Sequence, residues 1–167
     1  MELYPWIIVL VPCLVSSTQL DSSRRLFKSL KQCLFDNNLN SASIVRRGAS
    51  KAYKSLNYQF EIQVPRKFPL AYVLPLKESD VVAVVSCGRR LGVRIVQKSG
   101  THPLEKYSYW NQDSIKVDLR KMKQLKCAGM TAAIGSGALI GPILWKLWNS
   151  RKVFIPAGSC PTVGISD

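Results

Sequence analysis

Two side chains in this 167-residue sequence are best placed for covalent or acid–base chemistry: the single histidine, His102, and Cys160. Cys160 lies in a tight turn before Pro161, and a thiol becomes a nucleophile when its pKa is lowered. The alternative is that Cys160 is half of a disulfide or packs as a small apolar side chain. His102 by itself is typical of a surface residue. Local sequence therefore makes both positions candidates and leaves both roles open.

His102 closes a short loop that could bind an anion. Residues 98–102 read Lys-Ser-Gly-Thr-His and follow a predicted strand. Successive backbone N–H groups in a Gly-containing turn can form an anion-binding nest, to which Ser99 and Thr101 add hydroxyl donors and Lys98 adds charge. A phosphate or pyrophosphate would suit this loop, and the alternative is a solvated turn.

Composition excludes a disordered or collagen-like chain, because 47% of the residues are hydrophobic and 20% are charged. The net charge of +14 indicates either an acidic binding partner or a larger protein whose acidic half is missing from this sequence. The basic residues are scattered in pairs between apolar segments. They do not form the continuous basic face with interleaved aromatics that a nucleic-acid reader needs, so no nucleic-acid partner is expected.

The N-terminus predicts a secretory signal peptide over residues 1–17, since an apolar run of ten residues precedes a small-residue cleavage site. Glu2 is unusual there, and the alternative is a buried N-terminal strand. No segment is long and apolar enough to be expected to span a membrane. If residues 1–17 are removed, four of the five cysteines remain, which allows two disulfides or one disulfide and two thiols. No metal site is expected, because there is one histidine and no CxxC motif.

Hydrophobic periodicity predicts alternating helices and strands, and therefore an α+β fold. Predicted helices cover 21–35, 80–91 (with Ser79 as N-cap and Gly92 beyond the C-terminus) and 141–149. Predicted strands or extended segments cover 53–64, 70–75, 93–97, 115–119 and 131–134, and residues 39–52 are expected to be irregular. The glycine-rich segment 135–141 departs by one residue from a dinucleotide fingerprint, and close packing explains its glycines.

Six segments, taken together and in order, resemble the berberine-bridge-enzyme-like FAD-linked oxidases of the vanillyl-alcohol-oxidase superfamily. They are 68–75 (FPLAYVLP), 78–87 (ESDVVAVVSC), 98–102 (KSGTH), 117–120 (VDLR), 137–141 (GALIG) and 156–164 (PAGSCPTVG). The resemblance implies an incomplete PCMH-type FAD-binding domain, preceded by an N-terminal helix. The boundaries it suggests are a signal peptide at 1–17, a helix and extended segment at 18–65, and the partial FAD domain at 66–167.

The resemblance gives roles to the doubtful positions. His102 matches the histidine bonded to the flavin 8α-methyl carbon, and Cys160 matches the cysteine bonded to flavin C6 in bicovalent members. The other positions assigned to the cofactor are Lys98, Ser99, Gly100, Thr101, Gly158, Val163 and Gly164. Cys33 and Cys87 match a disulfide that joins two helices in plant-type members, and Cys127 is left without a role.

The function implied by the resemblance is that of a secreted FAD-dependent oxidase. Such an enzyme passes a hydride from an alcohol or sugar substrate to the flavin and then electrons to O2. Nothing in this chain matches a catalytic base, so we expect the chain alone to be incomplete and inactive. Two alternatives remain: a truncated inactive product, or a basic secreted binding module without flavin.

One departure from the family pattern concerns the phosphate loop. Thr101 stands where the family has its second glycine, and residues 103–106 also differ from the family pattern. A Cβ at Thr101 is expected to crowd the pyrophosphate or to require a shifted backbone.

Overall fold

The structure is a computed structural model that describes residues 15–48, 50–57, 68–100, 102 and 113–167. Thr101, residues 103–106 and most of the predicted signal peptide lie outside the described residues. The signal peptide and the effect of Thr101 therefore stay predictions. Within the described ranges, none of the helices is long and apolar enough to cross a bilayer.

The described residues form a mixed α and β arrangement, which confirms the predicted α+β class. The helices are α1 (Val15–Asp36), α2 (Lys51–Leu56), α3 (Glu78–Arg90) and α4 (Ile140–Arg151). The strands are β1 (Ile44–Arg46), β2 (Ala71–Val73), β3 (Ile95–Lys98), β4 (Ile115–Asp118), β5 (Leu125–Ala128) and β6 (Thr131–Ile134).

The strands form two sheets. The first has the order β1-β2-β4-β3, in which β4 runs parallel to both of its neighbours and β1 pairs antiparallel with β2. Ile115 lies at the centre, opposite Ala71 on one side and Ile95 on the other. The second sheet is the β5–β6 hairpin, which turns through Gly129 at a φ of +55°.

Helices α1 and α3 cover one face of the four-stranded sheet. Leu30 and Leu34 from α1 and Val84 from α3 belong to the core cluster that includes the strand residues Ala71, Val73, Ile115 and Val117. A disulfide between Cys33 and Cys87 joins the two helices, with 5.9 Å between the Cα atoms, as the family resemblance implied. This apolar layer holds the strand ends from which the functional loops leave.

Parts of the secondary structure differ from the sequence-based prediction. α1 begins at Val15 and not at residue 21. The short strands β1 and β5 lie in segments predicted to be irregular or merely basic. Polar and basic residues surround both strands, so neither shows the apolar run that marks the similarly short β2.

The extended segment predicted at 53–64 is wrong over its described part, because α2 covers most of it. The Ser50 hydroxyl accepts a hydrogen bond from the Tyr53 backbone N–H at 3.2 Å and caps this helix. Ser79 is likewise not the N-cap of α3, because the helix begins at Glu78 and Lys77 is its N-cap residue. Instead, the Asp80 carboxylate accepts from the Leu76 backbone N–H at 2.9 Å. Gly92 follows α3 at a φ of +63°, as predicted.

Candidate functional site

An open cavity of about 780 Å³ lies beside the sheet. Its walls come from α2, from the end of β3, from the turn after β4 and from the start of α4. They are therefore set by the same strand ends that the core holds in place. The lining residues are Lys54, Ser55, Lys98, Ser99, Gly100, Arg120, Lys123, Leu125, Gly137, Ala138, Leu139, Pro142, Ile143 and Lys146.

The charge of this cavity has one sign. Five cationic side chains contribute to its walls, and none of the described lining residues is acidic. The cations come from Lys54, Lys98, Arg120, Lys123 and Lys146. Low-dielectric walls lined by one sign of charge concentrate ions of the other sign, so the cavity is suited to an anionic ligand.

Lys98 is the most constrained of these cations. Its side chain is 4% exposed, and its ammonium donates to the Leu56 backbone carbonyl and lies 3.9 Å from an Asp118 carboxylate oxygen. Burial lowers the pKa of Lys98 to about 8, although Asp118 partly opposes the shift. The sequence suggested Lys98 as a phosphate-facing charge. In the structure its ammonium is already held by the protein at the cavity wall.

Asp118 organises the polar groups behind the cavity. It is fully buried at the end of β4 and accepts two hydrogen bonds from the Arg120 guanidinium, both of 2.8 Å. The paired oxygens fix the guanidinium in one plane, which is the strong bidentate arrangement of arginine with a carboxylate. Asp118 therefore orients Arg120, which sequence reasoning did not single out, at the cavity wall.

Lys116 is a second buried lysine on the same face of the sheet. It is 1% exposed, and its ammonium lies 6.0 Å from the Tyr72 ring centroid. Burial first and the charge of Lys98 second lower the pKa of Lys116 to about 7, while Asp118 acts in the opposite direction. A buried lysine of this kind is neutralised far more readily than a surface lysine.

Two glycines bring the loop after β3 against the last turn of the chain. A Cβ on Gly100 would collide with the Gly164 backbone nitrogen, and a Cβ on Gly164 would collide with the Ser99 side chain. The Gln97 amide donates across this contact to the Ser166 carbonyl at 2.8 Å, and the Ser99 and Ser166 hydroxyls both donate to the Ser136 carbonyl, at 2.9 and 2.8 Å. The loop and the turn are distant in sequence, and they meet because both glycines lack a side chain.

This contact places both chemically interesting side chains next to one hydroxyl group. The Thr162 hydroxyl lies 2.8 Å from His102 Nε2 and 3.4 Å from the Cys160 sulfur. Hydrogen bonding from Thr162 lowers the pKa of the exposed Cys160 thiol. Thr162 is a site residue that sequence reasoning missed, although it stands in the quoted 156–164 segment two residues after Cys160.

The turn that carries Cys160 is fixed against the start of α4. The backbone N–H groups of Ile140 and Gly141 donate to the carbonyls of Val163 and Pro161, at 3.0 and 2.9 Å. Gly141 is needed there because a Cβ would meet the Pro161 side chain at 2.6 Å. Gly137 approaches the Leu119 carbonyl in the same way. These backbone approaches support the close-packing explanation of the 135–141 glycines.

Val163, Gly158 and Cys127 have different structural surroundings. Val163 belongs to the fixed turn through its carbonyl and through its N–H, which donates to the Cys160 carbonyl at 3.3 Å. Gly158 is exposed, with the Ile140 side chain at 3.6 Å as the nearest contact of an added Cβ, so the protein fold does not require glycine there. Cys127 lies in β5 opposite Ala132 and packs against a small apolar cluster beside α4. Its packing gives it a structural place that the sequence did not supply.

Comparison with known proteins identifies the class of this fold and site. A family model described as FAD binding domain matches residues 69–166. Berberine bridge enzyme-like 23 of Arabidopsis thaliana is 30% identical over 96% of this chain and 33% of its own length. Chitooligosaccharide oxidase of Gibberella zeae is 32% identical over 70% of this chain and 24% of its own length.

Solved structures give the same result. Wild-type BBE-like 1 of Physcomitrella patens superposes with a TM-score of 0.72 at 36% identity, over 81% of this chain and 29% of that one. The chain therefore belongs to the FAD-binding domain family, and the predicted resemblance to berberine-bridge-enzyme-like proteins with a PCMH-type fold is confirmed. It spans about a third of the length of the Arabidopsis relative.

Proposed function

We propose that this chain is the cofactor-holding N-terminal part of a secreted oxidoreductase that oxidises an alcohol or carbohydrate. FAD would be bonded to His102 and Cys160, and O2 would accept the electrons. Oxidation of a carbohydrate agrees with the name of one relative, the chitooligosaccharide oxidase. The Cys33–Cys87 disulfide supports secretion, because disulfides persist mainly in oxidising compartments.

The observation that carries the proposal is the meeting of His102 and Cys160 at one hydroxyl group. The 8α-methyl group and C6 belong to the same benzenoid ring of a flavin. Two protein anchors for these positions must therefore lie side by side, as His102 and Cys160 do at Thr162.

The cavity fits the rest of the cofactor. Gly100 lines the cavity and also touches the turn that carries Thr162, so the two proposed anchors lie near one edge of the cavity. Its cationic walls suit a pyrophosphate, with Arg120 and Lys123 as the side chains that would contact it. The glycines at positions 100 and 164 let the two backbones meet, which brings the segment of Cys160 to the loop that lines the cavity.

When bound, FAD supplies the hydride-accepting chemistry, and the protein supplies binding, orientation and electrostatics. In this chain Asp118 orients Arg120, the 160–164 turn orients Cys160, and the loop after β3 orients His102. None of these groups is assigned the role of a base toward substrate. Proton removal from substrate is assigned to the part of the family fold that lies outside this chain.

The test is acid-stable flavin on the purified chain, produced with FAD in a secretory host. We expect yellow protein after acid precipitation, and peptide mass spectra that show flavin on the peptides containing His102 and Cys160. The single variants His102→Ala and Cys160→Ala should each keep one bond and their colour. The double variant should lose the acid-stable colour.

Cys127→Ala is the matched control, because it removes a thiol outside the cavity and should leave the colour unchanged. Each protein is first checked for the Cys33–Cys87 disulfide, which reports that the helical layer has formed. Correctly folded protein with both the His102 and Cys160 peptides unmodified would contradict the proposal.

The cationic cavity also favours a second candidate, an anion-binding module without flavin. Sulfated glycan would then be retained by the same walls and released as the ionic strength is raised, because salt screens the attraction between exposed charges. Replacing Lys123 and Lys146 with glutamine separates the two candidates. Glycan retention should fall under the second candidate, while His102 and Cys160 should be unmodified in all variants.

A further inference from the structure

Thr162 stands between a thiol and an imidazole, in contact with both. Its hydroxyl lies within hydrogen-bond distance of His102 Nε2, at 2.8 Å, and of the Cys160 sulfur, at 3.4 Å. We propose that Thr162 is a positioning residue that carries the Cys160 thiol proton to His102 and so prepares the thiolate for attachment. This inference rests on the proposed flavin anchoring by these two residues.

A hydroxyl group has one proton and two lone pairs, so it can donate to one neighbour while it accepts from the other. In one arrangement the Cys160 thiol donates to the Thr162 oxygen, and the Thr162 hydroxyl donates to Nε2 of neutral His102. In the other arrangement the imidazolium N–H donates to the Thr162 oxygen, and the Thr162 hydroxyl donates to the thiolate. Both arrangements satisfy all three groups.

Passage between the two arrangements needs two proton transfers. The S–H bond of Cys160 breaks as an O–H bond forms on Thr162, and the original O–H bond of Thr162 breaks as an N–H bond forms at His102 Nε2. The electron pair of the S–H bond stays on sulfur. The total charge is unchanged, because a thiol and a neutral imidazole become a thiolate and an imidazolium, and no oxidant is involved.

The backbone holds the Thr162 hydroxyl at this position. The Val163 N–H donates to the Cys160 carbonyl at 3.3 Å, and the Val163 carbonyl accepts from the Ile140 N–H at 3.0 Å. The Thr162 carbonyl lies against Gly100, where an added Cβ would approach it to 2.6 Å. Because threonine is also stiff at χ1, little freedom is left for the hydroxyl to turn away.

The electrostatic setting agrees with this role. Hydrogen bonds from the Thr162 side chain and backbone lower the pKa of the Cys160 thiol, and the Val163 N–H acts in the same direction. The charged group of the same turn is Asp167, whose carboxylate accepts from the Gly164 N–H at 2.8 Å. On the other side of the contact, His102 is a titratable group within hydrogen-bond range of Thr162.

The test measures the alkylation rate of Cys160 by iodoacetamide as a function of pH, read from its own peptide by mass spectrometry. Thr162→Val removes the hydroxyl and keeps the shape, and Thr162→Ser keeps the hydroxyl. We expect the valine variant to react about fivefold more slowly at neutral pH, with its pH profile moved upward, and the serine variant to restore the original profile. A purely structural role would slow both variants alike.

His102→Ala provides the second measurement, since it removes the proton acceptor without touching the turn, and it should move the profile in the same direction as Thr162→Val. An unchanged profile in both Thr162→Val and His102→Ala would overturn the inference. Flavin attachment is read separately from acid-stable colour. Shifted pH profiles of Cys160 alkylation, together with no flavin on either peptide, would contradict the proposed function but support the proton path through Thr162.

Discussion

The central strands β2 and β4 of the four-stranded sheet are buried on both faces, but the two faces differ in polarity. Alternation along β2 and β4 places apolar side chains on the face covered by α1 and α3, and polar or charged side chains on the other face. The first group is Ala71, Val73, Ile115 and Val117, and the second is Tyr72, Lys116 and Asp118. Every one of these side chains is at most 2% exposed.

The difference shows how one short sheet can serve both stability and binding. The apolar face gains free energy from leaving water, whereas the charged face costs free energy unless its groups satisfy one another. The Asp118 carboxylate is the counter-charge on this face, since it forms an ion pair with Arg120 and lies near the Lys98 ammonium. The charged face therefore holds cations in place at the cavity, and the apolar face supplies the stability that this arrangement needs.

The largest expected effect comes from removing the anion of the charged face. Asp118→Ala leaves Lys98 and Arg120 without their shared carboxylate, and breaking a buried charge cluster from one side costs about 4 kcal/mol. Urea denaturation should show this loss in the free energy of unfolding. Asp36→Ala, which removes an exposed carboxylate at the end of α1, should change the free energy of unfolding by less than about 0.5 kcal/mol. Equal losses in the two variants would contradict this role of Asp118.

A somewhat smaller effect is expected on the apolar side. Replacing Cys33 and Cys87 together with serine opens a cross-link between residues 54 positions apart, which should cost about 3 kcal/mol. The same denaturation experiment measures it. Cys127→Ser is the control, because that cysteine forms no disulfide, and it should have a clearly smaller effect. A double variant as stable as the unmodified chain would show that α1 and α3 are held by packing alone.

The smallest expected effect has the opposite sign. Lys116→Met keeps the length of the side chain and removes a buried charge, so at pH 7 it should raise the free energy of unfolding by about 1 kcal/mol. Lys121→Met, at an exposed position, is the matched control and should change little. A destabilised Lys116→Met chain would show that this lysine is held by interactions worth more than its burial costs.

The pH dependence of the free energy of unfolding is a second measurement of how burial affects the lysines of the charged face. In the fold the pKa of Lys116 is about 7 and that of Lys98 about 8, both below the ordinary 10.5. Between the folded pKa values and 10.5, the unfolded chain therefore binds more protons than the folded chain. Stability should therefore rise as pH increases from 7 toward 10. Above pH 10 the raised pKa of Tyr53, about 12, opposes the rise. Lys116→Met should flatten the rise measured by thermal unfolding, and an unaltered slope would contradict the shift assigned to Lys116.

Local patterns in the sequence predicted much of the fold. The strand at 70–75 is indicated by a short apolar run before a proline, and the helix before Gly92 by its apolar periodicity; both are found in the structure, as is the strand Thr131–Ile134. α2 was missed because a loose alternation outweighed the capping signal of Ser50. The Cys33–Cys87 pair was reached through family resemblance, since four cysteines by themselves allow three pairings.

The site was only partly predictable, for a different physical reason. His102, Cys160 and the loop residues 98–100 could be named because their residue types stand in recognisable motifs. Arg120 and Lys123 also line the cavity, but Arg120 had no assigned role in the 117–120 segment and Lys123 stands in no motif. Their function depends on which strand ends lie next to each other, and one-dimensional spacing does not contain that information.

The sequence by itself determined the class of fold, the family and the residue types available for chemistry, because these follow from local periodicity and from motif order. Only the tertiary structure decided that Lys98 is buried against Asp118, and that Gly100 and Gly164 approach closely enough for Thr162 to contact both His102 and Cys160. Each of these facts depends on a contact between segments distant in the chain. Such contacts are set by which backbones can pack without a Cβ between them and by which buried charges find a partner.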